Sequence, residues 1–196
     1  TEPTIQPEYN EFLLKGQITN PKEEISSMTI YNDKLILLPE NLNGYMFWIP
    51  LDEIDQSIIT MDTLMPRMNF FRTNPYDKLI YGFDGFEAIV IHDDNVYITI
   101  EVKDRLNPPT QVYNQTFEGM SYHDDKLIIM YEVNGVNMRD KVWQYIVDVN
   151  ALHDDELMIE LEKMMFPNIE YRVTDMTSVI DNKFWVTNYY WPGDKK

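Results

Sequence analysis

Phe86-Glu-Ala-Ile-Val-Ile-His-Asp-Asp-Asn-Val-Tyr-Ile-Thr-Ile-Glu101 is followed fifteen residues later by a second version of itself, Phe117-Glu-Gly-Met-Ser-Tyr-His-Asp-Asp-Lys-Leu-Ile-Ile-Met-Tyr-Glu132. The two align without a gap. Each opens on Phe-Glu and a small residue, carries two Asp at its centre and closes on Glu. Such self-similarity is the first thing to look for in a chain, because a repeat fixes the architecture.

Two looser copies flank them, Ile25-Ser-Ser-Met-Thr-Ile-Tyr-Asn-Asp-Lys-Leu-Ile-Leu-Leu-Pro-Glu40 and Thr174-Asp-Met-Thr-Ser-Val-Ile-Asp-Asn-Lys-Phe-Trp-Val-Thr-Asn188. Each unit reads as strand, tight polar turn, strand. The turn pairs Asn32-Asp33, Asp93-Asp94, Asp124-Asp125 and Asp181-Asn182 are residues that tolerate left-handed backbone angles, which two-residue hairpins require. The flanks are rich in Ile, Val, Tyr, Phe and Met, which suits strands.

Both faces of these hairpins are apolar. By strict alternation Phe86, Ala88 and Val90 point one way, and Ile89 and Ile91 the other. A hairpin with one solvated face would alternate polar and apolar. A hairpin apolar on both faces must be covered twice, which stacked propeller blades do. The expected fold class is therefore all-β, a β-propeller of antiparallel hairpin units, with residues 1–196 as a single domain. The four hairpins are expected as successive inner strands about one axis, with Phe86 and Phe117 as equivalent buried wedges. Tyr45–Leu51 and Val142–Asp148 fall where outer strands belong, and Lys78–Gly82 reads as a further strand. Residues 154–165 read either as a short amphipathic helix or as an edge strand with a loop. The second and third units lie too close for a full four-stranded blade between them. The spacing therefore predicts part of a larger ring, a ring whose loops are missing from the sequence, or a ring completed by another chain.

Composition narrows the function. Apolar residues at 44% support a packed core, and no run of about 18 apolar residues offers a membrane-spanning helix. A net charge of −17 repels nucleic acid and anionic lipid and favours cations or basic groups. No cysteine is present, so disulfides and thiolate chemistry are excluded. No nucleophile elbow, His-Glu-x-x-His helix, phosphate loop or D-x-D-x-D-G calcium loop occurs. Ser26, Ser121 and Ser178 have no identifiable base partner. His92 and His123 occupy equivalent turn positions and read as structural. His153 lies in an acidic stretch without a ligand pattern.

The hairpin motifs resemble the phytase-like β-propellers, including the bacterial family called SdiA-regulated and the family labelled "esterase-like activity of phytase". Phe86-Glu87-Ala88-Ile89 closing at Glu101, Phe117-Glu118-Gly119-Met120 closing at Glu132, and Thr174-Asp175-Met176 carry that resemblance. It covers four windows, roughly a third of the chain, and Ser26 departs from it in the acidic slot. It implies an extracytoplasmic protein with hydrolysis of phosphate or carboxylic esters as one activity. The alternative is a non-catalytic propeller that binds a small molecule or a protein at its channel mouth.

Simple hairpin register places Glu87 opposite Ile100, with Glu101 next along, and treats Glu118 and Glu132 alike. Around a ring this gathers Glu87, Glu101, Glu118, Glu132, Asp175 and Glu40 at one mouth. Crowded carboxylates need compensation. Two readings supply it: backbone N–H groups of a neighbouring blade, with the Glu residues locking the blades together, or calcium as a cofactor, which takes such oxygen ligands. Trp185, Tyr189 and Trp191 read either as a stacking platform for a ring ligand or as packing between blades.

Overall fold

In the computed structural model, the residues described are 10–41, 45–60, 62–70, 83–102, 117–132, 142–152, 159–164 and 172–189. They form antiparallel sheets with one α-helix among them. The first sheet runs in the order β1 (Ile25–Tyr31), β2 (Lys34–Pro39), β3 (Tyr45–Pro50), β4 (Arg67–Phe70). The second pairs β5 (Phe83–His92) with β6 (Asn95–Val102). The third contains β7 (Phe117–His123), β8 (Lys126–Tyr131), β9 (Val142–Asp148) and β10 (Ile159–Met164), again as a meander. The fourth pairs β11 (Arg172–Met176) with β12 (Val186–Tyr189).

All four turns form as their residues require. Asn32, Asp33, Asp93, Asp94, Asp124, Asp125, Asp181 and Asn182 have φ between 45° and 60°. Positive φ at both central residues gives the turn whose twist matches that of the flanking strands.

The sheets stack face to face, and β1 lies against β5, β5 against β7, and β7 against β11. Four apolar clusters alternate with them. Leu37, Phe47 and Ile49 pack with Ile18 and Leu64 on the outer face of the first sheet. Ile36, Leu38 and Met46 meet Phe86 and Ile89 between the first and second sheets. Ala88 and Val90 meet Met120, Leu127 and Val147 between the second and third. Met130 meets Val173 and Met176 between the third and fourth. The apolarity of both faces therefore has its predicted cause: each inner sheet is covered on both sides. No closed ring is present among the described residues.

The turn ends are tied as well. Tyr31 donates its hydroxyl to Asp94, and the His92 ring stacks on Tyr122 at 3.7 Å between centroids. Tyr122 in turn donates to Asp125 at 2.7 Å, and His123 Nε2 lies 3.1 Å from Asn182 Oδ1. The two histidines thus join neighbouring turns.

Several expectations need correction. Strict alternation fails at the start of each hairpin, where the register shifts: between Ile25 and Ser27, Phe86 and Ile89, Phe117 and Gly119, and Val173 and Asp175. These are β-bulges, in which an extra residue on one strand breaks the period of two. Phe86 consequently pairs with Ile100 and Gly85 with Glu101, so Glu87 does not face Ile100. Phe86 also joins Ile89 and Ile91 on the side facing the first sheet, opposite to Ala88 and Val90. Phe86 and Phe117 are not equivalent in burial. Phe86 is buried, whereas Phe117 is half-buried and packs edge-on against Tyr131 and Tyr145 of its own sheet.

The segment at 159–164 is the edge strand β10, not a helix. Leu51, expected at the end of a strand, belongs instead to helix α1 (Leu51–Thr60). Asp52 and Glu53 stand in its first turn, where carboxylates favour the helix dipole, and Ile54 packs on the first sheet. The strand expected at Lys78–Gly82 lies outside the described residues, as does His153.

Candidate functional site

The bulges position the acidic residues. At the second bulge, Ala88 N–H has lost its strand partner and donates to Thr99 Oγ1 at 2.9 Å. The Thr99 hydroxyl donates onward to the Phe117 carbonyl at 2.7 Å. Ile89 N–H donates to Ser27 Oγ of the first sheet at 3.3 Å. The freed backbone groups are thus satisfied by side chains, as buried donors must be. The bulge holding Glu87 is pinned to the sheets on both sides.

Glu40 is fixed by its main chain. Its N–H donates to the Glu24 carbonyl at 2.7 Å, and its own carbonyl accepts from Phe86 N–H at 3.3 Å. Its side chain lies across Gly85, where a Cβ would come within 2.5 Å of Glu40 Cγ. Gly85 is what lets the end of β2 approach β5 this closely. Gly119 has the same role at the seam between the third and fourth sheets, since a Cβ there would sit 3.3 Å from the Met176 backbone nitrogen. These contacts explain the small third residue of the motif at Gly119 and the glycine ahead of it at Gly85.

The result is a seam of carboxylates between the first and second sheets. Oxygen atoms of Glu40, Glu87 and Glu101 all lie within 4.8 Å of one another. Glu87 and Glu101 are buried, at 6% and 7% exposure, and Glu40 is half-buried. Burial pushes the Glu87 carboxyl up to about 9, helped by the charges of Glu118, Glu40 and Glu101 and a hydrogen bond with Glu101. Burial likewise raises Glu40 to about 7, with Glu24, Glu101, Asp84 and Glu118 adding to it. Such raised values mark carboxylates forced together away from water.

The six acidic residues expected at one mouth do not all meet. Glu40, Glu87 and Glu101 come together, and Glu118 stands close enough for its charge to act on Glu87 and Glu40. Glu132 lies at the seam between the third and fourth sheets and forms a 2.9 Å ion pair with Arg172. Asp175 accepts from Met176 N–H at 2.7 Å, and burial raises its pKa. Sequence reasoning missed Asp84 and Glu24, which border the cluster, and Arg172, which lies just ahead of the fourth repeat window. The closing Glu residues are divided between seams: Glu40 and Glu101 lie together between the first and second sheets, and Glu132 pairs with Arg172 of the fourth. Trp185 is 82% exposed, which removes it from packing between these sheets. Tyr189 ends β12 opposite Arg172, and Trp191 lies outside the described residues.

Comparison with protein families, with curated proteins and with solved structures finds no match to this chain. The reading of the site therefore stands on its geometry. No helix among the described residues is long and apolar enough to cross a membrane.

Proposed function

We propose that the four sheets are an arc of a phytase-like β-propeller whose Glu40, Glu87 and Glu101 bind calcium. The observation carrying this is the approach of three carboxylates, from the ends of two stacked sheets, to within 4.8 Å of one another. Their donor set fits a hard divalent cation, because it consists of carboxylate oxygens alone. Glu118 of the third sheet stands close enough for its charge to act on both Glu87 and Glu40. Support for the propeller comes from the order of stacking, each hairpin's first strand lying on that of the next. Calcium at an extracytoplasmic location is abundant enough to fill a site of modest affinity.

A calcium titration followed by melting temperature tests this. A ligand that binds only the folded state raises the midpoint as its concentration passes Kd. Glu87→Gln removes one ionised donor and should abolish most of the rise. An unchanged midpoint through the millimolar range, in wild type, ends the calcium reading. The resemblance to ester hydrolases is tested with phosphomonoester and carboxylic ester panels. Calcium-dependent turnover lost in Glu87→Gln supports a hydrolase. Calcium binding without turnover supports a ligand-binding propeller.

A further inference from the structure

Helix α1 turns two different faces to the protein. Ile54 packs on the apolar cluster over the outer face of the first sheet. Glu53, Gln56, Ser57 and Thr60 recur three and four residues apart and so share a second face. That face is polar although it also looks inward, and Ser57 is only 7% exposed. Facing it is a short backbone ladder, in which Leu64 N–H donates to the Leu13 carbonyl and Lys15 N–H to the Leu64 carbonyl, each at 3.0 Å. Between helix and ladder lies a cleft of about 310 Å³, which Lys15, Asp62 and Thr63 also line. That volume is near the low end for ligand pockets and suits a small molecule.

The cleft holds hydrogen-bonding groups that the fold does not use. Among the described residues, no side-chain hydrogen bond or ion pair engages Lys15, Gln56, Ser57, Asp62 or Thr63. Lys15 and Asp62 are exposed and water serves them. Ser57 differs, because its hydroxyl lines the cleft from a residue that is more than nine-tenths buried. A buried polar group without a partner costs stability until something meets it.

Charge selects the ligand. Glu53 is held by Arg67 in a 2.5 Å ion pair. The other charged groups lining the cleft are Lys15 and Asp62, one of each sign and not paired with each other. A simple anion suits Lys15 but is repelled by Asp62, and a simple cation meets the reverse. A neutral polyol covers both charges and offers neither an opposite one. A molecule carrying both an ammonium and a carboxylate satisfies the two together. Helix α1 ends at Thr60 with no basic residue in its last turn, so its carbonyl end also favours an ammonium. We propose that this cleft binds a free α-amino acid, its carboxylate on Lys15, its ammonium on Asp62 and the end of α1, with Ser57 as a further hydrogen-bond partner. The site lies on the face of the first sheet away from the carboxylate seam and rests on neither the calcium nor the propeller reading.

Amide chemical shifts of the isotope-labelled whole chain, titrated with glycine, L-serine and L-methionine, test this. At least one should bind in the micromolar to low-millimolar range and move the amides around Lys15, Ser57 and Leu64 together. Lys15→Met and Asp62→Asn alter exposed side chains and should leave the fold intact, checked by circular dichroism. Each should weaken that amino acid by about tenfold or more, as loss of one charge-assisted hydrogen bond does. Acetate and methylammonium, which carry one charge each, should bind at least about tenfold more weakly than the amino acid. Glucose binding as tightly as the amino acid would overturn the zwitterion as ligand. No shift from any of the three up to about 10 mM overturns the site itself. So does binding that both variants leave unchanged, or shifts confined to the Glu40–Glu87–Glu101 seam. The calcium response should be the same in both variants as in wild type, so either reading can fail without the other.

Discussion

Gly85 shows how one missing side chain sets the site. Adding a Cβ there forces Glu40 Cγ away from 2.5 Å, and Glu40 is the carboxylate that the first sheet contributes to the three-Glu cluster. Gly85→Ala should destabilise by about 1–3 kcal/mol, as overpacking usually does, and should weaken any calcium response. A denaturant titration and a calcium titration on the same variant check both halves. Phe86 makes the other residue-scale test. It is buried at the seam of the first and second sheets, so Phe86→Ala should cost about 3–5 kcal/mol. Phe117→Ala should cost clearly less, because that ring is half-buried and rests on its own sheet. Equal losses in the two variants would contradict the difference in packing. In the sequence the two Phe residues look interchangeable, and only the surroundings separate them: Phe86 meets Leu38 and Met46 of another sheet, Phe117 meets Tyr131 and Tyr145 of its own.

Among elements, the hairpins were legible because Asn and Asp pairs at their tips favour a tight turn with positive φ. The strands Tyr45–Pro50 and Val142–Asp148 were legible from their β-branched and aromatic content. The bulges were not. A period of two assumes one residue against one, and nothing in Phe86-Glu87-Ala88 announces that Glu87 and Ala88 together stand opposite Thr99. Helix α1 escaped because its apolar positions, Leu51 and Ile54, directly continue the apolar run of β3, so strand and helix periods blur at Pro50. The repeat pattern places Glu132 in an acidic mouth, whereas Arg172 turns it into half of an ion pair between the third and fourth sheets. Both of those side chains are largely buried, so removing one takes an opposite charge away from the other in a site poor in water. Arg172→Met alone should cost about 3–5 kcal/mol, and adding Glu132→Leu should return some of it. A double-mutant cycle showing purely additive losses would mean that the pair does not join the sheets.

For the whole molecule, the carboxylate seam makes stability depend on pH in an unusual direction. In the unfolded chain a Glu releases its proton near 4.5, whereas in the fold Glu40 keeps it to about 7 and Glu87 to about 9. Between those values the folded state holds more protons than the unfolded state. Stability must then fall as pH rises, because the unfolded state gains from ionisation that the fold resists. Without divalent cations the protein should be more stable near about pH 5 than near about pH 8.5, from these two groups alone. A cation bound at the seam reverses the balance by favouring the ionised carboxylates in the fold. Calcium should therefore raise the melting temperature more at the higher pH than at the lower, and its binding should release protons. The overall charge of −17 also grows more costly as pH rises, so wild type alone does not isolate the seam. Glu87→Gln does. It removes the group with the largest displacement, so the variant should show a flatter decline with pH in chelator and little gain from calcium. A variant whose stability falls with pH as steeply as wild type would place the effect in the general charge. A calcium gain equal at both pH values would mean that the cation binds without displacing the protons of Glu40 and Glu87.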